Sequence, residues 1–256
     1  AMPCFNCDQC KIGRHHTCRK LKFLGCPGQS SGCLSEYIII PETSCIPFYS
    51  DISYDEAVIS EPFAIGIYAT KLAGNTKNKN IAILGYGPIG MSVHYALKLQ
   101  SYDKIFVTDL LDYRLNIALK TGCDYIANPS YDNIEEKFLH FLPEGFDIVF
   151  ECCGKQEALN NSLQILKPGG KLLLIGIPEF DNWSFNADII RRKEITIINV
   201  RRQNNCAKKA IELIDKKIVD VKPFITHQFN YKDSKNAFET VMNYKDSVMK
   251  AIINFD

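Results

Sequence analysis

The segment that most constrains the fold is Gly85-Tyr86-Gly87-Pro88-Ile89-Gly90, because it follows an apolar run and opens a segment with helical spacing. A G-x-G-x-x-G pattern between a strand and a helix is typical of a dinucleotide-binding turn. The first glycine permits a tight turn, the second lets the backbone approach a pyrophosphate, and the third lets the helix pack closely on the sheet. The free N–H groups at the start of that helix would bind the pyrophosphate. We call residues 85–90 the glycine turn.

Asp109 directly follows the next apolar run, 19 residues beyond Gly90. A carboxylate at this position accepts hydrogen bonds from the adenosine ribose and repels a 2′-phosphate, so the sequence predicts NAD rather than NADP. Arg114 lies five residues further on and could either flank the adenine or be a surface helix residue. The alternative for the whole motif is a glycine-rich turn with an Asp that only caps a helix.

From residue 79 onward, strand-like runs alternate with helical segments. This alternation predicts an α/β fold with a doubly wound parallel Rossmann sheet that is covered by helices on both faces. The predicted strands are residues 81–84, 104–108, 125–127, 146–150, 171–177 and 194–200.

The segments outside this region are less regular. Residues 37–40 form an apolar run that predicts a strand, and residues 54–72 have helical spacing that Pro62 should break into two helices. Near the end of the chain, residues 233–243 predict a helix and residues 248–255 a last strand.

Composition limits the classes of partner. The chain has 256 residues, which suits one or two domains, and a net charge of +1. A net charge so close to zero does not attract a phosphate backbone or an anionic membrane, so we expect neither nucleic acid nor a membrane as partner. We find no apolar run of about 18 residues and no signal peptide, which favours a cytoplasmic protein.

Four of the eleven cysteines, namely Cys4, Cys7, Cys10 and Cys18, lie within fifteen residues near the start of the chain. We call them the quartet. Four thiolates at this spacing predict a structural Zn²⁺ site, since a Cys₄ site leaves no position open for substrate. An iron–sulfur cluster is the rival interpretation, and two disulfides are disfavoured by the odd cysteine count and the absence of a secretion signal. His15 and His16 lie inside the loop and could compete as ligands.

The quartet, the segment Ser60-Glu61-Pro62-Phe63-Ala64, the glycine turn and Asp109 occur in this order along the chain. That order resembles the zinc-dependent medium-chain dehydrogenases, and within them the polyol (sorbitol-like) branch. Three further segments, at residues 151–154, 167–170 and 200–204, are similar too, so the resemblance spans residues 3–256.

The resemblance implies three parts. Residues 1–78 would be a partial GroES-like β catalytic domain that carries the structural zinc lobe, residues 79–228 the NAD-binding Rossmann domain, and residues 229–256 a return to the catalytic domain. Glu61 matches the acid that completes or approaches the catalytic zinc, which would make it both catalytic and a metal ligand. Without the family, Glu61 is an acid at a helix start just before Pro62.

Members of this family begin upstream of the quartet, and that upstream part supplies a zinc-binding Cys and a Gly-His-Glu motif. None of the five histidines here lies in such a motif; His94, for example, is expected to be a packed or surface residue of the helix after the glycine turn. A catalytic zinc is therefore expected only if those ligands exist on a longer chain. The sequence is either a truncated form or a natural short form.

The resemblance implies hydride transfer between NAD and a secondary alcohol or polyol. It places Ile175, Ile177, Val200 and Arg201 on the nicotinamide side, although Arg201 could equally be a surface cation. The residues predicted to bind the cofactor are Gly85, Gly87, Pro88, Ile89, Gly90, Asp109, Arg114, Ile175, Ile177, Val200 and Arg201.

The competing hypothesis is a non-catalytic NAD-binding or assembly protein that has lost the catalytic zinc site. The family also implies a homodimer or homotetramer that pairs through the sheet edge near residues 194–200.

Overall fold

The computed structural model describes residues 1–48 and 52–255. The chain divides into two compact units. One is Glu61–Val200, which we call the sheet unit. The other joins Ala1–Ser60 to Arg201–Asp256, and we call it the cysteine unit.

The sheet unit contains six parallel strands in the order β3-β2-β1-β4-β5-β6. This is the doubly wound order of dinucleotide-binding folds. β2 and β3 are added on one side of β1, and β4, β5 and β6 are added on its other side. The predicted fold class is confirmed. The strands are β1 (Asn80–Leu84), β2 (Lys104–Thr108), β3 (Tyr125–Ala127), β4 (Phe146–Glu151), β5 (Leu166–Leu174) and β6 (Thr196–Asn199).

Helices connect these strands, as the alternating pattern predicts. The connecting helices are α4 (Pro88–Leu97), α5 (Asp112–Lys120), α6 (Ile134–Phe141), α7 (Gln156–Ile165) and α8 (Ala187–Lys193), and α3 (Ser60–Ala73) precedes β1. The break between α3 and the preceding helix falls at Ile59, so Pro62 lies in the first turn of α3. A proline is tolerated there because its missing N–H has no acceptor in the first turn of a helix.

The core of the sheet unit is aromatic at the β2 side. The ring of Phe106 stacks on Tyr125 with centroids 4.5 Å apart and meets Phe138 and Phe146 edge-on at 5.1 and 4.8 Å. Every residue of β4 is buried. Strands buried on both faces produce continuous apolar runs rather than alternation, which is why the sequence pattern identified them.

A buried polar network fixes the glycine turn to its neighbouring helices. The hydroxyl of Tyr86 lies 2.7 Å from Nδ1 of His94 on α4 and 2.7 Å from Oγ1 of Thr121, which follows α5. His94 is fully buried, as one of the two sequence interpretations expected. The glycine turn is therefore anchored by a side chain as well as by backbone bonds.

The cysteine unit contains four α-helices in its described part, together with one strand pair. The pair is parallel and consists of β7 (Ile225–Asn230) and β8 (Lys250–Asn254). The helices are α1 (Asp8–Lys11), α2 (Tyr54–Val58), α9 (Ala207–Asp215) and α10 (Ser234–Met242). The side chain of Ser53 and the carboxylate of Glu56 form a reciprocal capping box at the start of α2.

The structure departs most from the sequence predictions at two predicted strands. Residues 37–40 are not a strand: Tyr37 is 90% and Ile39 96% exposed, and within the described cysteine unit no strand pairs with this segment. An extended run becomes a strand only when a neighbour accepts its backbone hydrogen bonds. The strand predicted at residues 171–177 is also displaced, because β5 begins at Leu166 and ends at Leu174, and residues 175–177 leave the sheet.

His94 makes the stability of the sheet unit depend on pH. Burial lowers the pKa of His94 to about 4, whereas an unfolded histidine titrates near 6.5. The unfolded chain therefore binds the extra proton first, and stability falls as the pH decreases from about 6.5 to about 4, by roughly 2–3 kcal/mol. We expect His94→Asn, which does not titrate, to remove this part of the acid dependence.

The measurement is urea unfolding of both proteins across that pH range. The contribution of His94 is the difference between the two curves, since the carboxylates are common to both. Parallel curves would contradict the assignment.

Candidate functional site

The glycine turn connects β1 to α4, and its geometry excludes larger side chains. Gly85 has φ of +94°, and a Cβ on it would lie 2.6 Å from Sγ of Cys153. A Cβ on Gly90 would lie 1.9 Å from the carbonyl oxygen of Gly85. Gly87 precedes Pro88, the first residue of α4, and is the N-cap. The turn therefore has the close backbone packing that the motif predicts.

Asp109 follows the last residue of β2 and is almost completely buried. Its Oδ2 accepts a hydrogen bond from the backbone N–H of Tyr86 at 2.7 Å, and its Oδ1 accepts one from Leu111 at 2.9 Å. The carboxylate thus joins the glycine turn to the loop that starts α5. Each carboxylate oxygen has two lone pairs, so both keep acceptor capacity for a ribose hydroxyl.

Arg114 lies beside this carboxylate. Its Nη1 is 3.6 Å from Oδ2 of Asp109, and a Cβ built on Gly87 would meet the same nitrogen at 3.4 Å. The side chain is only 13% exposed. The structure therefore places Arg114 against the glycine turn, and not among the solvated residues of α5.

The carboxyl ends of β4 and β5 form the neighbouring part of this edge. Glu151, the last residue of β4, is fully buried, and burial raises the pKa of its carboxyl group. Ile175 is buried just beyond β5, whereas Ile177 is 88% exposed. Val200 continues the sheet beyond β6, where its N–H donates to the carbonyl of Leu174 at 2.8 Å.

The sequence interpretation missed Glu151 as an individual residue and treated it only as part of a family segment. The signal was present: Glu151 is an acid that closes an otherwise apolar run and precedes Cys153-Gly154. An acid in that position must find partners at the end of the strand, because a buried charge without partners is costly.

Glu61 is exposed in the first turn of α3. Within residues 1–48 and 52–255, the quartet is the only group of three or more His, Cys, Asp or Glu side chains arranged to hold a metal ion. Glu61 belongs to no such group in the described chain. The described residues thus do not supply the ligand set of a catalytic zinc.

The quartet, in contrast, is assembled. Its four Sγ atoms all lie within 4.8 Å of one another, and Cys10 and Cys18 are buried. Two backbone N–H groups, from Cys4 and Lys20, donate to Sγ of Cys18 at 3.2 and 3.3 Å. Four thiols around one point and N–H donors to sulfur suit a tetrahedral metal ion with thiolate ligands.

The thiols differ in their electrostatic surroundings. Backbone N–H groups of Arg19 and Cys10 lower the pKa of Cys7 to about 6, whereas burial beside the other thiols raises the pKa of Cys10 to about 12. Four thiolates this close repel one another strongly, so a cation is needed before all four can ionise.

Residues 1–33, which we call the quartet lobe, pack on the chain segment that follows Val200. The Nδ2 of Asn204 donates to the carbonyl of Gly13 at 3.0 Å, and the guanidinium of Arg202 lies 3.8 Å from the ring centre of Phe23. Arg202 and Asn205 have φ of 53° and 56°, which is left-handed backbone. Arg201 is exposed at the start of this segment.

Comparisons with known proteins agree with these features. Residues 88–216 match the family described as zinc-binding dehydrogenase, and residues 1–50 match the alcohol dehydrogenase GroES-like domain. The sorbitol dehydrogenase of Bacillus subtilis is 32% identical over 253 residues, which cover 98% of this chain and 71% of the relative. The L-idonate 5-dehydrogenase of Vitis vinifera is 30% identical over 247 residues, which cover 93% of this chain and 67% of the relative.

Among solved structures, an Escherichia coli CFT073 enzyme described as a short chain alcohol dehydrogenase in complex with NADH superposes with a TM-score of 0.92 at 24% identity. That match covers 99% of this chain and 74% of the solved chain. The protein belongs to the zinc-binding dehydrogenase family. The comparisons favour a zinc-dependent oxidoreductase over the non-catalytic alternative.

We expect metal analysis of the purified protein to find about one zinc per chain, bound at the quartet. Cys10→Ser should lose it, and Cys33→Ser, an exposed cysteine outside the quartet, should retain it. Removal of zinc by a chelator should accelerate amide exchange in residues 1–22 and 201–206, which pack together, and leave β1 to β6 unchanged.

The measurements are elemental analysis and hydrogen exchange by mass spectrometry. Iron in place of zinc would favour the iron–sulfur alternative, and a metal-free native protein with an intact lobe would refute the site.

Proposed function

We propose that this protein oxidises a secondary alcohol or polyol to a ketone and transfers the hydride to NAD⁺. The observation that carries the proposal is the glycine turn with Asp109 beside it, at the carboxyl ends of adjacent strands of a doubly wound sheet. Dinucleotides bind at this edge of such sheets. In the reaction, the carbinol carbon gives a hydride to the nicotinamide and the hydroxyl gives a proton to solvent.

The proposed cofactor is NAD rather than NADP. Asp109 would accept hydrogen bonds from the adenosine ribose, and its negative charge would oppose a 2′-phosphate. Arg114 could attract that phosphate, but its guanidinium already faces the Asp109 carboxylate at 3.6 Å. The proposed pyrophosphate site is the first turn of α4, at Gly87, Pro88 and Ile89.

The nicotinamide end is proposed to lie against the chain leaving β5 and β6. Ile177 offers an exposed apolar side chain there, whereas Ile175 and Val200 are buried. Arg201 is proposed to reach a substrate hydroxyl. The nicotinamide supplies the redox chemistry, and these residues would orient it and exclude water.

The structural zinc is proposed to occupy the quartet. A catalytic zinc would, when bound, act as a Lewis acid that lowers the pKa of the alcohol. We propose that Glu61 takes part in that site only together with ligands beyond these 256 residues.

The substrate class follows from the relatives, which include sorbitol, L-idonate and L-threonine dehydrogenases. We propose a small secondary alcohol or polyol for this chain.

The edge strand β6 has one unpaired side within the described sheet, which supports a homodimer or homotetramer formed there. All eleven cysteines are free, which suits the reducing cytoplasm. The longest described helix has 14 residues, and none is long and apolar enough to cross a membrane.

Asp109→Asn should weaken NAD binding. It should also reduce the ratio of the NADP dissociation constant to the NAD dissociation constant by about tenfold, because the charge that opposes the 2′-phosphate is removed. Asp103→Asn is the matched control, since Asp103 is an exposed acid that precedes β2 at the opposite end. The measurement is the ratio of the two dissociation constants by calorimetry. An unchanged ratio would remove Asp109 from this role.

The activity itself is tested by NADH formation with a panel of polyols, diols and amino alcohols in the presence of Zn²⁺, with the full-length gene product. We expect NADH only with secondary alcohols. Glu61→Gln should abolish turnover and leave NADH binding intact. No NADH with any member of the panel would refute the proposed reaction.

A further inference from the structure

Glu151 lies where three strands end side by side. It pairs in register with Leu84 of β1 on one side and with Leu174 of β5 on the other. Leu84 immediately precedes the glycine turn, and Leu174 immediately precedes residues 175–177. Glu151 is therefore the central residue of the edge at which the proposed cofactor would bind.

The side chain of Glu151 is used as an acceptor. Its Oε1 accepts hydrogen bonds from the backbone N–H groups of Cys153 and Gly154, each at 2.7 Å. Its Oε2 is buried and makes no hydrogen bond with any described residue. The carboxyl group thus closes the turn at residues 152–154 through one oxygen.

The backbone of Glu151 holds the neighbouring segment. Its carbonyl oxygen accepts the N–H groups of Ile175 at 2.9 Å and Gly176 at 3.0 Å. One residue therefore bonds both turns, the first through its side chain and the second through its main chain.

These two turns touch backbone to backbone. A Cβ on Gly176 would lie 2.0 Å from the nitrogen of Gly154, and a Cβ on Gly154 would lie 2.4 Å from the carbonyl oxygen of Ile177. Contact this close leaves no room for the 152–154 turn to shift without displacing residues 175–177. The position of Ile177 therefore depends on the turn that Glu151 holds.

The same turn contacts the glycine turn. Sγ of Cys153 donates to the carbonyl of Leu84 at 3.1 Å and fills the space beside Gly85. Fixing the N–H of Cys153 thus also fixes the side chain that packs on the first glycine.

We propose that Glu151 is a positioning residue for the cofactor, which sets the nicotinamide-side wall at residues 175–177 by holding the 152–154 turn through its Oε1. This inference rests on the proposed NAD binding and assigns Glu151 no contact with the cofactor. The adenosine end, at Asp109, lies on the other side of β1, and the hydrogen bonds described for its carboxylate go to Tyr86 and Leu111 and not to the 152–154 turn.

Two substitutions separate the acceptor from the volume of the side chain. Glu151→Gln keeps an oxygen at Oε1 and removes the charge, whereas Glu151→Met keeps a similar volume and removes the acceptor. Only the Met variant leaves the N–H groups of Cys153 and Gly154 without this acceptor.

The probes are NADH, which spans both ends of the site, and AMP, which has the adenosine and one phosphate but no nicotinamide. Calorimetry should show that Glu151→Met weakens NADH binding about tenfold and AMP binding less than about twofold. Glu151→Gln should bind both within about threefold of the wild type. Hydrogen exchange should accelerate at residues 152–154 and 175–177 in the Met variant alone.

Three results would overturn the proposal. They are wild-type NADH affinity in Glu151→Met, a parallel loss of NADH and AMP affinity that indicates general destabilisation, and a Gln variant as impaired as the Met variant. If the wild type binds neither probe, the proposed cofactor function fails. The exchange comparison still decides whether Glu151 holds the two turns.

Discussion

The functional edge of the sheet unit depends on buried carboxylates that accept backbone N–H groups just beyond the strands. Asp109 accepts from Tyr86 and Leu111, and Glu151 accepts from Cys153 and Gly154. A parallel sheet leaves such N–H groups without partners where the strands stop, and each buried unsatisfied group costs about 1–3 kcal/mol. The two acids remove that cost, and in doing so they fix the loops that would surround a dinucleotide.

This arrangement explains why glycine occurs where it does. Loops tied down by short hydrogen bonds approach one another until a single Cβ no longer fits, as at Gly85, Gly90 and Gly176. The glycines and the acids therefore act together: the acids hold the backbone segments close, and the glycines leave room for that close approach. A pyrophosphate needs the same close approach, so the geometry that stabilises the edge also suits the ligand.

The sequence predicted the doubly wound parallel sheet and the glycine turn because both follow from local patterns, an apolar run, a turn and a helix in succession. It did not predict the role of Glu151, since the partners of that side chain come from a turn whose course is set by close packing on residues 175–177. The strand predicted at residues 37–40 failed for the opposite reason: its local pattern is suitable, but strand formation also requires a pairing partner. Local patterns thus predict elements, and the contacts between elements decide the site.

The cysteine unit obtains its order differently. Around the quartet only Cys10, Cys18 and His16 are buried within the first 33 residues, too little apolar surface to stabilise a lobe of that size. Yet this lobe binds Asn204 and Arg202, whose segment contains two residues in left-handed backbone that each cost about 1–2 kcal/mol. That cost would be offset by the lobe, and a metal bound at the quartet would supply the order that the lobe's small core does not. Occupancy of the proposed quartet site would then influence the conformation of the chain next to Arg201, which is the segment proposed to contact substrate.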